Sequence, residues 1–151
     1  MRDLVAFPDR PYCSIVPLGG APPEAPLILG LGIDLVEIER FSAAIERHGS
    51  RFIRRLFTEG ERASCEARAD GIQSFAARFA AKEAAMKALG SGWADGVGFL
   101  QFEILRAENG KPSLKLSSRA KEIADALGVE RAHVSLTHQP GSAAAVVILE
   151  R

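Results

Sequence analysis

Two acidic residues and a lysine are the side chains of this sequence best suited to bind a metal ion and a phosphate. In a predicted buried strand, alternation puts Asp34 on one face with Gly30 and Gly32, so a ligand or another backbone could approach that face closely. Glu83 stands four residues before Lys87. The segment around Glu83 is almost entirely apolar, where an unpaired carboxylate costs on the order of several kcal/mol. Two carboxylates from separate elements, completed by substrate phosphates, are a usual arrangement for Mg²⁺. The pattern therefore suggests a magnesium site in which Lys87 faces an anion.

Structural interpretations of the same residues stay open at this point. Asp34 could cap a helix or face solvent at the end of a strand. Glu83 and Lys87 have the spacing of a helical salt bridge, worth about 0.3–0.5 kcal/mol when exposed.

Lys82 is unusual because its helical angle places it within an apolar stripe formed by Phe75, Phe79 and Met86. Either its aliphatic stem carries the ammonium out to solvent, or the ammonium meets a phosphate at a cleft.

Three arginines form a basic cluster. Arg40 and Arg47 lie seven residues apart on one helical face, and Arg51 begins the next predicted element. The cluster is either a solvated stripe or a surface for an acidic helical partner.

Further polar residues lie in the second half of the chain. His133, Ser135 and Thr137 share one face of a predicted strand, and His138 follows with the opposite orientation. No nucleophile elbow surrounds Ser135, so the pattern disfavours a serine hydrolase. The segment 109–112, Asn-Gly-Lys-Pro, is typical of a hairpin turn with an exposed lysine and could also contact a ligand.

Periodicity and turn residues predict the elements that position these side chains. The order is β-α-α-α-β-β-α-β-β, an α+β fold with a mainly antiparallel sheet packed against a central apolar helix. Strands are predicted over Leu27–Leu35, Phe102–Arg106, Ser113–Leu116, His133–His138 and Ala143–Leu149. Helices are predicted over Glu37–Arg47, Arg51–Phe57, Thr58–Ala69 with a Thr58/Glu61 capping box, Ser74–Leu89, and a last one capped by Ser117 or Ser118 and ending at Leu127. The order above counts the short helix Arg51–Phe57 together with the one before it.

Residues 1–26 differ from the rest because they hold six of the eight prolines. Proline at this density blocks helices and sheet interiors, so this segment is predicted to be an N-terminal extension, with the folded domain over 27–151.

Bulk properties exclude several classes of protein. Nineteen basic and nineteen acidic residues cancel, which argues against a general nucleic-acid binder. Cys13 and Cys65 are too few and too far apart for a disulfide framework or a zinc site. The longest apolar runs are seven residues, too short to span a bilayer, and no secretory signal precedes Pro8. We therefore expect a cytoplasmic protein without a membrane partner.

Four segments in order resemble the motifs of the holo-acyl-carrier-protein synthases, within the 4′-phosphopantetheinyl transferase superfamily. They are Gly-Leu-Gly-Ile-Asp-Leu-Val-Glu at 30–37, Arg-Phe-Ala-Ala-Lys-Glu-Ala at 78–84 with Lys87, the segment 109–112, and His-Val-Ser-Leu-Thr-His at 133–138. The similarity extends over residues 28–150, and the ordered set is specific although each motif is short.

The resemblance implies a fold and a reaction. Members are α+β proteins that form homotrimers with active sites between subunits. They use Mg²⁺ to transfer 4′-phosphopantetheine from coenzyme A to a serine of an acyl carrier protein, releasing 3′,5′-ADP.

The resemblance also implies roles for individual residues. Asp34 and Glu83 would bind Mg²⁺, Lys87 would face the phosphates, and Glu83 would be the base for the serine hydroxyl. The acyl carrier protein would dock on Arg40, Arg47 and Arg51. Coenzyme A would be contacted by Lys82, Lys87, Gly110, Lys111, Pro112, Ser135 and His138.

Two alternatives use the same residues. One is a metal-dependent phosphohydrolase with water as the nucleophile, and the other is a non-catalytic coenzyme A-binding module. The arginine cluster favours transfer over hydrolysis, and Asp34, Glu83 and Lys87 together favour catalysis over binding alone.

Overall fold

A computed structural model describes residues 27–151, so the predicted extension over 1–26 lies outside the described residues. The predicted order of elements and the α+β class are confirmed. The elements are β1 Ile28–Glu37, α1 Ile38–Leu56, α2 Glu59–Glu66, α3 Gly71–Leu89, β2 Phe102–Arg106, β3 Pro112–Leu116, α4 Ser118–Leu127, β4 Arg131–Gln139 and β5 Ser142–Glu150.

Strands β1, β5 and β4 form an antiparallel sheet in that order, with β5 in the centre. Strands β2 and β3 form a separate antiparallel hairpin. Gly110 lies in the turn of this hairpin with a φ of 85°, so the predicted Asn-Gly turn is confirmed.

Helix α3 is the core of the domain, as its apolar composition predicts. Its alanines are almost completely buried, and it packs against β1 and β5. It begins three residues earlier than predicted, at Gly71, and ends where Gly90 adopts a left-handed conformation with a φ of 63°. Within residues 27–151 no helix has the length and hydrophobicity needed to cross a bilayer.

The glycine face of β1 is covered by α3. A Cβ atom at Gly32 would lie 1.9 Å from the carbonyl oxygen of Ala84, and one at Gly30 would lie 2.0 Å from that of Ala88. The absent side chains therefore admit a helix backbone. Of the two alternatives for this face, a ligand or another backbone, the backbone of α3 is the one present at the two glycines.

The opposite face of β1 also differs from the prediction of a buried strand. Leu31, Ile33 and Leu35 are 41%, 65% and 69% exposed. The strand is buried on one face only, because no element of residues 27–151 covers the other side at these positions.

The helices around α3 begin and end largely as predicted. The Thr58/Glu61 capping box of α2 is present, although α2 ends at Glu66 rather than Ala69. Helix α1 bends at Gly49, whose φ is 62°, where the first of two predicted helices should end.

Ser117 is at the N-cap position of α4, as predicted, but its side chain makes no cap hydrogen bond. The amide of Ala120 in the first turn instead donates to the side chain of Gln101, 2.9 Å away.

Candidate active site

Asp34 and Lys87 are brought together where β1 meets the last turns of α3. The Lys87 Nζ donates to Asp34 Oδ1 at 2.7 Å and to the carbonyl oxygen of Ile33 at 3.0 Å. Both side chains are partly buried, with 24% and 16% of their surfaces exposed. Lys87 thus links β1 to α3 through Asp34, and its charge also acts on Glu83.

Glu83 faces the same cluster from α3. The pKa of its carboxyl is raised, first by burial and then by the negative charge of Asp34, while Lys87 partly offsets both. Two carboxylates that repel each other at one site are the electrostatic condition that a divalent cation relieves.

The donor set at this site fits Mg²⁺. Residues 27–151 contain no cluster of three or more histidine, cysteine or acidic side chains that could enclose a metal. Mg²⁺ usually takes only one or two carboxylates, with water and substrate phosphates filling its other positions. Asp34 and Glu83 supply that number.

Lys82 requires a correction, because neither interpretation of its position holds. Its side chain is fully buried, and its Nζ donates to Glu61 Oε2 and the Leu56 carbonyl, both at 2.7 Å, and to the Phe99 carbonyl at 3.1 Å. Burial lowers the pKa of Lys82, while the neighbouring Glu61 carboxylate acts in the opposite direction. The ammonium faces neither solvent nor a cleft, so the predicted contact with coenzyme A is wrong.

A cavity of about 300 Å³ lies beside the first half of α3. Three of the predicted coenzyme A contacts, Gly110, Pro112 and His138, line it, whereas Lys111 and Ser135 do not. Its wall combines apolar, neutral polar and basic residues, namely Arg68, Ser74, Ala77, Arg78, Ile104, Leu105, Arg106, Gly110, Pro112, Leu136, Thr137 and His138.

Arg78 is a cavity residue that sequence reasoning missed. It is only 6% exposed, and its Nη2 donates to Ser64 Oγ at 2.9 Å. Its Nε is buried and has no hydrogen-bond partner within residues 27–151. A buried guanidinium with an unused donor beside a cavity is suited to an anion. The sequence offered one indication of this role, because Arg78 is a charged residue within an alanine-rich helix.

Asp70 is a second missed residue, and it orients His138. Its Oδ2 lies 3.3 Å from His138 Nε2, and its Oδ1 accepts a 2.6 Å hydrogen bond from Arg68 Nε. The Arg68 guanidinium lowers the pKa of Asp70 to about 2, so the carboxylate remains charged at neutral pH. Asp70 thereby holds one histidine and one arginine at the cavity wall.

The cavity and the carboxylates occupy different places in one chain. Asp34 and Leu136 both pair with Ala145, on opposite sides of β5. Two strand spacings, about 10 Å, therefore separate the backbone at Asp34 from the cavity wall at Leu136. The cavity adjoins the first half of α3, whereas Glu83 and Lys87 belong to its second half.

The three arginines of the predicted basic cluster lie on α1 and are all exposed. None of them has an ion-pair partner in the part of the chain that the structure describes. Helix α1 packs against α3 through Phe41, whose ring centroid lies 5.4 Å from that of Phe79. Because Phe79 is one turn before Glu83, the basic helix adjoins the carboxylate site.

Comparison with known proteins places this geometry in a family. A model of the 4′-phosphopantetheinyl transferase superfamily matches residues 30–146. The holo-[acyl-carrier-protein] synthase of Koribacter versatilis is 46% identical over 124 residues, which cover 82% of this chain and 99% of the relative.

Solved structures agree with the sequence comparison. The crystal structure of holo-[acyl-carrier-protein] synthase from Neisseria meningitidis matches with a TM-score of 0.76 and 28% identity, covering 83% of this chain and 100% of that one. The Helicobacter pylori enzyme in complex with coenzyme A matches with a TM-score of 0.70 and 32% identity, covering 80% and 99%. On this evidence the chain belongs to the 4′-phosphopantetheinyl transferase superfamily, as its four ordered motifs indicate.

Proposed function

We propose that this protein transfers 4′-phosphopantetheine from coenzyme A to a serine hydroxyl of an apo-acyl carrier protein and releases 3′,5′-ADP. The observation that carries this proposal is the convergence of Asp34, Glu83 and Lys87 at the junction of β1 and α3. Relatives that are 46% identical are holo-[acyl-carrier-protein] synthases, which supports the same reaction here.

Asp34 and Glu83 are proposed to hold Mg²⁺. When bound, the cation neutralises the charge of the pyrophosphate and polarises the bond to be broken. The Glu83 carboxylate takes the proton of the serine hydroxyl, directly or through a water. The Lys87 ammonium stabilises the charge on the departing 3′,5′-ADP.

The cavity is proposed to take the nucleotide end of coenzyme A. Its apolar wall suits a purine, and Arg78 and Arg106 provide cationic groups for a phosphate beside the His138 ring. Among the predicted contacts, Gly110, Pro112 and His138 keep this role. Lys111 and Ser135 lie outside the cavity wall, and their contact with coenzyme A stays a prediction.

A holo-carrier mass assay tests the reaction. Apo-acyl carrier protein, coenzyme A and Mg²⁺ are incubated with the protein, and we expect a carrier heavier by one phosphopantetheine. Incubation without carrier distinguishes the alternatives, because only a phosphohydrolase would consume coenzyme A rapidly there. A coenzyme A-binding module would leave both substrates unchanged.

We also propose that the protein forms a homotrimer through the outer face of its sheet, the face away from α3. Leu31, Ile33 and Leu35 on this face are more than a third exposed. They lie in register with Ile148, Val146 and Ala144 of β5, which extend the apolar surface. An exposed apolar patch of this kind is typical of a protein interface. Association also supports catalysis, because a second copy can bring its cavity to the carboxylates of the first.

The outer face can be tested by introducing one charge. We expect Ile33→Lys to reduce the molecular mass in solution to that of a single chain and to lower transfer activity at least about tenfold, since a buried unpaired charge is costly. Analytical ultracentrifugation measures the mass. Leu127→Lys is the matched control, because Leu127 is 44% exposed at the end of α4 and should tolerate the change. An unchanged mass for Ile33→Lys would contradict the proposed interface.

Helix α1 is proposed to dock the carrier, which the family resemblance expects to be acidic. We expect Arg40→Glu to slow carrier association about tenfold and to leave the KM for coenzyme A nearly unchanged, because charge reversal acts on electrostatic steering. Stopped-flow binding at several salt concentrations measures this. The variant should also depend less on salt than the wild type, whose attraction is screened over about 8 Å at physiological ionic strength.

Lys121→Glu on α4 is the control for Arg40→Glu, because it makes the same charge change on an exposed residue outside α1. It should leave carrier association close to the wild-type rate. Equal losses of coenzyme A and carrier affinity in Arg40→Glu would instead place Arg40 at the nucleotide.

We further propose a cytoplasmic location. Cys65 is a free thiol that is completely buried, and burial raises its pKa to about 11. A thiol enclosed and protonated in this way neither forms a disulfide nor binds a metal, which suits a reducing compartment.

A further inference from the structure

The buried ion pair of Lys82 and Glu61 has no part in the reaction proposed above. Both side chains are almost inaccessible, at 0% and 1% exposed, and their charged atoms lie 2.7 Å apart. The Lys82 ammonium has three hydrogen atoms and three oxygen acceptors, on Glu61, Leu56 and Phe99. Its hydrogen-bonding capacity is therefore fully used.

Glu61 is held just as completely. Its Oε2 accepts from the Thr58 amide at 2.9 Å, and its Oε1 accepts from the Ile104 amide at 2.9 Å. The pair thus connects the end of α1, the start of α2, the segment before β2, and β2 itself to the middle of α3. The Phe57 ring adds a cation–π contact, with its centroid 5.2 Å from Lys82 Nζ.

Stability alone does not account for this arrangement. Desolvation of two charges offsets much of their attraction, and apolar residues of similar volume often stabilise a protein equally well. Directional hydrogen bonds to three oxygens fix the rotation and the axial position of a helix more closely than apolar packing does. Lys82 is in the centre of α3, so the fixed element is the one that carries the reacting carboxylate.

The elements joined by the pair are those that carry the proposed functional groups. Glu83 follows Lys82 directly in α3. Leu56 is the last residue of α1, the helix with the exposed arginines. Ile104 and the next residue, Leu105, line the cavity. The Lys82 ammonium therefore contacts the end of α1, the helix proposed to dock the carrier. Through Glu61 it also contacts β2, which lines the cavity.

We infer that Lys82 and Glu61 are positioning residues that fix Glu83 relative to α1, the helix proposed to dock the carrier, and fix the cavity wall on the same core, so that neighbouring copies present both in register. This inference rests on the proposed transfer reaction. Neither residue touches substrate; both act through the placement of α3. Loss of the pair is expected to reduce turnover while each substrate still binds, because binding groups on α1 and at the cavity remain in place.

The test uses the double substitution Lys82→Met/Glu61→Gln in the full chain. Lys82→Met alone would leave a buried carboxylate unpaired and could prevent folding. The double variant removes both charges at nearly constant volume, and glutamine can still serve in the capping box. We expect its Tm to stay within a few degrees of the wild type, its kcat to fall about 10–100-fold, and both KM values to change less than about threefold.

The matched control is Lys121→Met/Asp125→Asn, which removes an exposed lysine–carboxylate pair on α4. It should keep the wild-type kcat. The rise in Tm caused by coenzyme A, measured with each protein, reports binding independently of turnover and should be similar in all three.

The possible outcomes are distinct. A wild-type kcat in the double variant would overturn the positioning role, and so would a parallel loss of kcat, both substrate affinities and the coenzyme A-induced rise in Tm. A wild-type protein that makes no holo-carrier would instead overturn the proposed function. A selective loss of kcat supports the inference.

Discussion

Replacement of Gly32 by alanine is expected to destabilise the protein by roughly 3 kcal/mol or more. The added Cβ would lie 1.9 Å from the Ala84 carbonyl oxygen and 2.8 Å from the Ala88 amide nitrogen. Both atoms belong to the α3 backbone, so they cannot move away as a flexible side chain would. Either α3 or β1 must shift, and the bond between Lys87 and Asp34 would be lost with it. Urea denaturation measures the change in the free energy of unfolding.

Gly92→Ala is the matched control for Gly32→Ala. Gly92 has an extended backbone with a φ of −157°, and no atom lies within 4 Å of the position that a Cβ would take. We expect its free energy of unfolding to change by no more than about 0.5 kcal/mol. A Gly32→Ala protein as stable as this control would show that α3 does not approach β1 as closely as described.

Asp34→Asn and Glu83→Gln are each expected to lower transfer at least about a thousandfold and to leave the fold intact. Each removes one negative charge of the proposed magnesium site with little change in volume, so charge neutralisation at the pyrophosphate is lost. Circular dichroism and the holo-carrier mass assay, with Mg²⁺ at saturating concentration, measure the two quantities. Glu66→Gln at the exposed end of α2 is the control and should retain full activity.

Glu83→Gln should also make the metal-free protein more stable at neutral pH. The folded protein raises the pKa of Glu83, so the ionised carboxylate costs stability above that pKa. The cost disappears as the pH falls toward the usual carboxyl range and the wild-type side chain is protonated. The difference in Tm between variant and wild type should therefore be largest near pH 7 and shrink below about pH 5. A difference independent of pH would contradict this cause, and near-normal turnover in either carboxylate variant would exclude a two-carboxylate site.

The parts of the fold that depend on local sequence were predictable. Helix α3, the Thr58/Glu61 capping box and the hairpin turn at Gly110 each follow from residues within a few positions of one another. The helix bend at Gly49 belongs to the same class. Local rules succeed there because the physical cause is local as well.

The parts that depend on distant partners were not predictable. The helical angle of Lys82 showed that it belongs to the core but not that Glu61, in another helix, would neutralise it. Alternation in β1 revealed a face without side chains but not which element covers it. The unused donor of Arg78 and the hold of Asp70 on His138 depend on contacts between separate elements. The family resemblance indicated several contacts with coenzyme A. Only the three-dimensional structure showed that Gly110, Pro112 and His138 line the cavity, whereas Lys82 is buried away from it.

The pairing of β1 with β5 has a consequence for how the chain folds. These are the first and last strands of the described domain, and β5 is the strand on which both β1 and β4 assemble. During synthesis, β1 must wait without a strand partner until nearly the whole domain has left the ribosome. Contacts this distant in sequence also slow folding, because a long loop closes before the strands gain from their pairing. We therefore expect the sheet to form late and the nascent chain to be prone to aggregation until β5 emerges.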